Sequence, residues 1–415
     1  MLPTTSLPES LARLETHLRE ERYSDEACKR SLHVALRFLT YTRQRQIEVE
    51  QIQPVHVTAY LNYQLRRFRR RNGRSPQNLE AWRNWHLSGI QMLLRLVQGR
   101  WPPAPIPASA REAFHKQLCD SYVSWLVTTR DLASTTLSTR QRIVLHFLES
   151  LDGGGTKALL AQITLADIDR YVQSQASHLG RGAIKNMVNA LRSFLRYLHQ
   201  NGWVVRDLAP DLISPRIYAD EAIPSALRTR EVELLLESAQ QDRSPKGLRD
   251  YAILLMLCTY GLRASEVARL RLEELDWRGE RIRIRHTKTR SESMLPLLRT
   301  VGEAILDYLR NGRPQTTARE IFIRTAAPHR SLQGSGVYHV VVDRLRNAGV
   351  PIARNQGPHA LRHACAVSLL GTQSPLKTIA DVLGHRSLSS TRQYLKLSVN
   401  ELREVGLDVP TGSES

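Results

Sequence analysis

Between Trp101 and Pro107 four prolines fall within six residues, in Trp101-Pro102-Pro103-Ala104-Pro105-Ile106-Pro107. Proline fixes its own φ and lacks an N–H, so such a run forms neither a helix interior nor a central strand. It reads as a linker that cuts the 415-residue chain. A second stretch, 206–228, holds Pro210, Pro215 and Pro224 with little periodicity and cuts it again. Three domains are therefore expected, 1–101, 108–215 and 225–410, each long enough to bury a core.

The first segment has helical apolar spacing. Leu11, Leu14, Leu18, Leu32, Val34, Leu36, Phe38 and Leu39 predict helix over 9–45. Pro54, following Gln53, opens a second helix, which runs through Val57, Tyr60, Leu61 and Leu65 into a basic cluster. That cluster is Arg66, Arg67, Arg69, Arg70, Arg71 and Arg74, closed by Gly73 and Pro76. A third helix is expected over 79–97. Past the prolines the pattern returns. Phe147-Leu148 answers Phe38-Leu39, Ile163 and Tyr171 answer Ile52 and Tyr60 at the same spacing, and Phe194-Leu195 with Trp203 answers Leu93-Leu94 with Trp101. This reads as an internal duplication of a small all-α domain.

The last segment differs. Helices are expected over 229–233 onward, 248–260 and 264–271. Arg281-Ile282-Arg283-Ile284-Arg285 alternates strictly and predicts a strand, with Met294-Leu295-Pro296-Leu297 as its partner and 287–293 as the hairpin between them. Ile321-Phe322-Ile323 is a candidate third strand. The chain is helical again from Val301, with breaks expected at Gly312-Arg313-Pro314 and Gly334-Ser335-Gly336. The expected fold class is mainly α with a small antiparallel sheet in the last domain, α+β.

Charge narrows the function. Lys and Arg number 59 against 40 Asp and Glu, a net charge of +19. Such an excess points to a polyanion, most simply nucleic acid. Cys28, Cys119, Cys258 and Cys365 are far apart and form no CxxC, so no zinc ribbon or disulfide framework is indicated. They read as reduced, mostly core thiols. No apolar signal core opens the chain, and no apolar run approaches a membrane span. The expected location is cytoplasmic, associated with the nucleoid.

Six positions can do chemistry on a phosphodiester. His359 and Arg362, three apart, share a helical face. Arg263 offers a planar fork for the same phosphate. Lys288, in His286-Thr287-Lys288-Thr289-Arg290, is a titratable donor suited to general acid work. His385 follows Leu383-Gly384, and Tyr394 supplies a phenol that can attack phosphorus. Fixed Arg and His donors can stabilise the pentacoordinate transition state without a metal. His359 and His363 also have a zinc-like spacing, but no Glu lies between them and no CxxC assists, so no metal is expected. Taken singly, each residue has an ordinary reading: a solvated arginine, a hydrogen-bonded histidine, a packed tyrosine.

Their order is more specific. Tyr260-Gly261-Leu262-Arg263-Ala264-Ser265-Glu266-Val267, Lys288, His359-Ala360-Leu361-Arg362-His363, Leu383-Gly384-His385 and Tyr394 together resemble the tyrosine recombinase/integrase family, which includes phage integrases and the Xer and Cre recombinases. The resemblance covers about 225–405. It implies that Tyr394 attacks a scissile DNA phosphate to give a 3′-phosphotyrosyl link and that Lys288 protonates the leaving 5′-oxygen. It implies that Arg263 and Arg362 bind the non-bridging oxygens, that His359 assists proton transfer, that His385 stabilises the transition state, and that Glu266 orients its neighbours. No ATP, metal or other cofactor is implied. The partner would be double-stranded DNA, bound by a homo-tetramer on synapsed sites, with sister recombinases or accessory proteins as further partners. The outcome would be integration, excision or transposition of a mobile element. Residues 110–215 resemble the family's helical, SAM-like core-binding domain, and 1–101 is then an extra helical domain. Arg66, Arg67, Arg69, Arg70, Arg71 and Arg290 are candidate DNA contacts. The same residues would also serve a type IB topoisomerase-like nicking and resealing activity, and the same fold a catalytically silent DNA-binding protein.

Overall fold

The computed structural model describes residues 7–104, 107–130, 132–151, 157–216, 226–286, 291–351 and 357–384. The chain separates into two compact units, one of 1–103 with 223–415 and one of 104–222. Among the described residues three large apolar cores form, one within about 11–101, one within 114–212 and one within 227–382, with a small fourth cluster of Ala366, Ile379 and Leu383.

The first core is built by α1 (Leu7–Glu20), α2 (Asp25–Arg43), a single 3₁₀ turn (Val49–Gln51), α3 (Pro54–Asn72) and α4 (Leu79–Gln98). The helix expected over 9–45 is thus two. The chain turns at Arg22, whose φ is 58°, and Ser24 restarts it by accepting the Ala27 N–H. A Ser N-cap that offers the backbone a side-chain acceptor favours a helix start over continuation. As expected, α3 begins at Pro54 and continues through the arginines, stopping where Gly73 adopts a left-handed φ of 67°.

The second unit repeats this succession with α5 (Ala110–Arg130), α6 (Ser134–Ser150), the short α7 (Lys157–Ala161), α8 (Leu165–Ala176) and α9 (Arg181–Gln200). Corresponding aromatics meet alike. Phe38 and Tyr60 pack edge to face at 5.1 Å, and Phe147 and Tyr171 do so at 5.3 Å. The segment after α9 is not wholly a linker: Val204, Leu208, Ala209 and Leu212 are buried in this core. Apolar side chains held by Pro210 and by turns pack without helical periodicity, which is why the sequence pattern missed them.

The third core surrounds α11 (Pro245–Tyr260), buried between α10 (Thr229–Gln241), α13 (Arg299–Asn311), α14 (Gly334–Asn347) and α15 (Pro358–Gly371). Two short helices, α12 (Ala264–Arg269) and α16 (Leu376–Leu383), complete it. The sheet is antiparallel in the order β1 (Leu275–Asp276), β2 (Arg281–His286), β3 (Ser291–Pro296), with Arg281 opposite Pro296 and His286 opposite Ser291. Its third strand is β1 rather than Ile321-Phe322-Ile323. That segment is fully buried and makes only isolated bridges, Arg271 with Glu320 and Ile323 with Ser331. Burial fits a strand and an extended core segment equally, so composition alone misassigned it. Gly334-Ser335-Gly336 opens α14 instead of breaking a helix, and α12 stops at Arg269, two residues short of expectation.

A charged network lies inside this core. Asp250, on α11, accepts from Arg249 at 2.7 and 3.0 Å and from Arg344 of α14 at 3.0 Å, while Arg344 also donates to Asp242 at 2.8 Å. Asp250 is fully buried, and Arg249 and Arg344 are nearly so. Removing the shared carboxylate would leave buried Arg249 with no carboxylate and buried Arg344 with Asp242 alone, a large penalty. Asp250→Ala is therefore expected to destabilise the domain by about 3–5 kcal/mol, read as a lowered urea midpoint for the loss of helix signal.

Candidate active site

The site forms at the C-terminal end of α11. Gly261 caps that helix at a left-handed φ of 58°, and its N–H bonds to Leu257 O. A Cβ there would lie 2.5 Å from the Leu383 side chain, so both backbone conformation and space call for glycine. Just before it, the Tyr260 hydroxyl donates to Pro296 O at 2.8 Å and accepts the Leu298 N–H at 3.0 Å, fastening α11 to the end of β3.

Arg263 follows as the N-cap of α12. Glu266, one turn into α12, reaches back to it. Its Oε2 accepts the Arg263 N–H at 2.8 Å and its Oε1 accepts from Arg263 Nη1 at 2.7 Å. A carboxylate at this position returns a bond to an orphan helix N–H. The Glu266 side chain is fully buried and that of Arg263 is 16% exposed. Burial alone would push the Glu266 carboxyl up. Hydrogen bonds from His286 and Arg263, with the Arg263 charge, outweigh that and hold it below the usual carboxylate range.

His286 is the third partner of this carboxylate. Its Nδ1 lies 3.1 Å from Glu266 Oε1 and its Nε2 lies 3.0 Å from Ser293 Oγ. An ionised carboxylate only accepts, so Nδ1 is the nitrogen assigned the proton, with Ser293 donating to Nε2. His286 was not singled out as a site residue from sequence. The signal was there: Ile282, Ile284 and His286 continue one alternation, and all three are buried. A histidine on the inner face of a strand must find partners.

Arg362 lies one turn into α15 and is only 3% exposed. Its Nη1 donates to Gly261 O at 2.7 Å and its Nη2 to Leu383 O at 2.6 Å. Both carbonyls stand at helix C-termini, where unpaired oxygens and the helix dipole attract a cation. Arg362 thus joins the turn before Arg263 to the turn after α16. His359, in the first turn of α15, is exposed. His359 and Arg362 lie three apart on α15, as expected for one helical face, but they differ in depth: His359 is exposed, while the Arg362 guanidinium is drawn in to the helix-end carbonyls. Lys288, Arg290, His385 and Tyr394 lie outside the described residues. Arg66, Arg67, Arg69, Arg70 and Arg71 belong to α3, in a different apolar core from Arg263. All five are exposed. Among the described residues none of them pairs with a carboxylate, and no group of three metal-binding side chains gathers anywhere.

Residues 225–401 match the phage integrase family. The integrase/recombinase y4rA of Sinorhizobium fredii (strain NBRC 101917 / NGR234) is 37% identical over 296 residues, 71% of this chain and 71% of that one. The chain belongs to the phage integrase family, and is a tyrosine recombinase. Another S. fredii integrase/recombinase, y4gC, is 51% identical over 188 residues, 45% of this chain and 97% of its own. The tyrosine recombinase XerC of Oceanobacillus iheyensis is 28% identical over 292 residues, 69% of this chain and 93% of its own. Among solved structures, a lambda integrase dimer bound to a COC′ core site matches with TM-score 0.54 at 16% identity, over 67% of this chain and 94% of that one. The Tn1549 transposon integrase with circular intermediate DNA matches with TM-score 0.53 at 17% identity, over 70% and 99%. At these identities the likeness is one of fold.

His363, next to Arg362, is pushed down to about 4 by burial first and then by the charges of His359 and Arg362. Its folded value lies below its ordinary 6.5, so the stability gained by keeping it neutral is complete above pH 6.5 and is lost as pH falls toward 4. His363→Gln is expected to flatten the fall in urea midpoint across that window, while leaving the midpoint near pH 8 within experimental scatter of the parent.

Proposed function

We infer that this chain is a site-specific recombinase that cuts and rejoins double-stranded DNA through Tyr394. The observation that carries the reading is the meeting of two arginines at one turn. Arg362 binds Gly261 O, two residues before Arg263, and Leu383 O, two residues before His385. Residues from three distant parts of the chain are thereby drawn to one place, in the order the family uses.

The roles follow from chemistry. The Tyr394 oxygen bonds to phosphorus as the bond from phosphorus to the 5′-oxygen breaks. Lys288 gives that oxygen its proton. Arg263 and Arg362 neutralise the non-bridging oxygens, His359 takes or returns the tyrosine proton, and His385 donates to the transition state. The link to protein conserves the energy of the broken bond, so a second strand's 5′-hydroxyl can reverse the step. Exchange between two duplexes needs four such chains, and a homo-tetramer on synapsed sites is the proposed assembly. Movement of a mobile element is the proposed setting, in the cytoplasm at the nucleoid. No described helix is long and apolar enough to cross a membrane.

A nicked duplex that traps the covalent intermediate tests the mechanism. The parent chain is expected to form an adduct, Tyr394→Phe none, and Arg263→Ala at least a hundredfold less at unchanged duplex binding, on the order expected for loss of one preorganised charge donor. An adduct from Tyr394→Phe would refute the nucleophile. Two linear duplexes carrying the site decide between exchange and simple relaxation: recombinant products support this reading, and relaxation without exchange supports a topoisomerase.

We also propose that the arginines of α3 contact DNA phosphates. Between Glu50 and Glu80 the sequence has no acidic residue, so nothing nearby in the chain neutralises them. Replacing Arg66, Arg67, Arg69, Arg70 and Arg71 with glutamine is expected to flatten the slope of log affinity against log salt by about 0.9 for each phosphate that the variant leaves unneutralised. An unchanged slope would remove α3 from the interface.

A further inference from the structure

His286 carries the next inference. It stands where three pieces of the site touch. Nδ1 bonds to Glu266, which holds Arg263 by both its main chain and its guanidinium. Nε2 bonds to Ser293 on β3, whose Oγ also lies 3.5 Å from Asp381 O on α16. The ring face closes on Gly384, where an added Cβ would come within 2.4 Å of Nδ1. Gly384 has a left-handed φ of 61° and immediately precedes His385. Ordinary packing does not account for this arrangement. A leucine or valine, like Ile282 and Ile284 before it, would fill the inner face of β2 but would leave Glu266 and Ser293 each short of a partner.

We propose that His286 is a positioning residue for strand cleavage, clamping the end of β2 to Glu266 and so holding the strand end that leads to Lys288 in register with Arg263, which keeps its own two bonds to Glu266. This rests on the reading of Lys288 as the general acid. His286 touches no DNA and moves no proton of the reaction. Its work is geometric: a general acid contributes only when held within hydrogen-bond reach of the leaving oxygen, and a misplacement of about 1 Å costs on the order of a hundredfold.

A change of leaving group separates positioning from general damage. The full-length chain is assayed on a nicked duplex built from the inverted repeats nearest its gene, with either oxygen or sulfur as the 5′-bridging atom at the scissile phosphate. A thiol is far more acidic than an alcohol, so sulfur departs as thiolate without needing a proton, while attack by Tyr394 and neutralisation by Arg263 are still required. His286→Ala is expected to bind the duplex as the parent does and to cleave the oxygen substrate on the order of a hundredfold more slowly, with the sulfur substrate cleaved at close to the parent rate. His286→Gln, whose amide can donate to Glu266 and accept from Ser293, is expected to restore most of the oxygen rate. Should His286→Ala unfold, Ser293→Ala removes one of the two bonds alone and is expected to show the same selective loss in milder form. Lys288→Ala runs alongside. Sulfur that rescues Lys288→Ala but neither His286→Ala nor Ser293→Ala overturns the role given to His286. Sulfur that rescues none of them overturns the general-acid reading and this inference with it.

Discussion

The buried carboxylate of Glu266 is the constraint on which the site is built. A carboxylate with no exposure is costly unless its oxygens are satisfied by strong donors. Here three donors converge on it, and they come from the α12 N-terminus, from the guanidinium of Arg263 and from the end of β2. One oxygen serves both Arg263 and His286. Moving either donor therefore disturbs the other, and neither the hairpin nor the α12 turn can shift alone without leaving a buried charge poorly paired. Rigidity of this kind fixes the direction of the planar Arg263 guanidinium.

Beneath the site, α11 transmits that order. At its first turns Asp250 fixes it to α14 through Arg344, and at its last turn Tyr260 fixes it to β3. The helix is thus pinned at both ends by polar contacts and along its length by packing in the third core. Gly261 then turns the chain sharply enough to place Arg263 at the head of α12, and the carbonyl exposed by that turn becomes an anchor for Arg362. The helix end supplies two things at once: a negative dipole that attracts the buried guanidinium, and a left-handed turn that leaves room for Leu383 and Cys365 against the glycine. Arg362 is thereby held by main-chain carbonyls at two helix ends.

Much of this was legible in the sequence, for reasons specific to each element. The β2 alternation, the Pro54 start and Gly73 stop of α3, and the Gly261 stop of α11 all rest on local backbone rules that tertiary context did not override. The expectations that failed depended on tertiary context. Ile321-Phe322-Ile323 reads as a strand, but the sheet edge is taken by β1, and the segment serves instead as buried packing against α11 and α13. Gly334 and Gly336 suggest a break, yet Gly334 lies against the backbone of Ser265, where a small residue lets α14 begin close to α12. At the site, the motif residues Arg263, Glu266, His359 and Arg362 could be named from their order, but the inward turn of Arg362 and the part played by His286 depend on which carbonyls and carboxylates end up nearby. Sequence spacing does not carry that information.

The two helical units bear on the meaning of the charge. Matching Ile52 to Ile163 and Tyr60 to Tyr171 sets α8, with 12 residues, against the first 12 of the 19 residues of α3. What α3 has in addition is the run Arg66-Arg67-Phe68-Arg69-Arg70-Arg71-Asn72. The second unit closes its core around Phe147 and Tyr171 without any such extension, and α8 carries Asp167 and Asp169 instead of an arginine run. The extension is therefore not a requirement of the fold. It contributes one ring, Phe68 against Trp82 at 6.3 Å, while five exposed like charges along two turns of helix repel one another. A helix that lengthens past its core only to gather unpaired cations is stabilised when a polyanion lies against it. The arginine run therefore marks what α3 has beyond the shared helical pattern, a cationic face that the closing of its own core does not require.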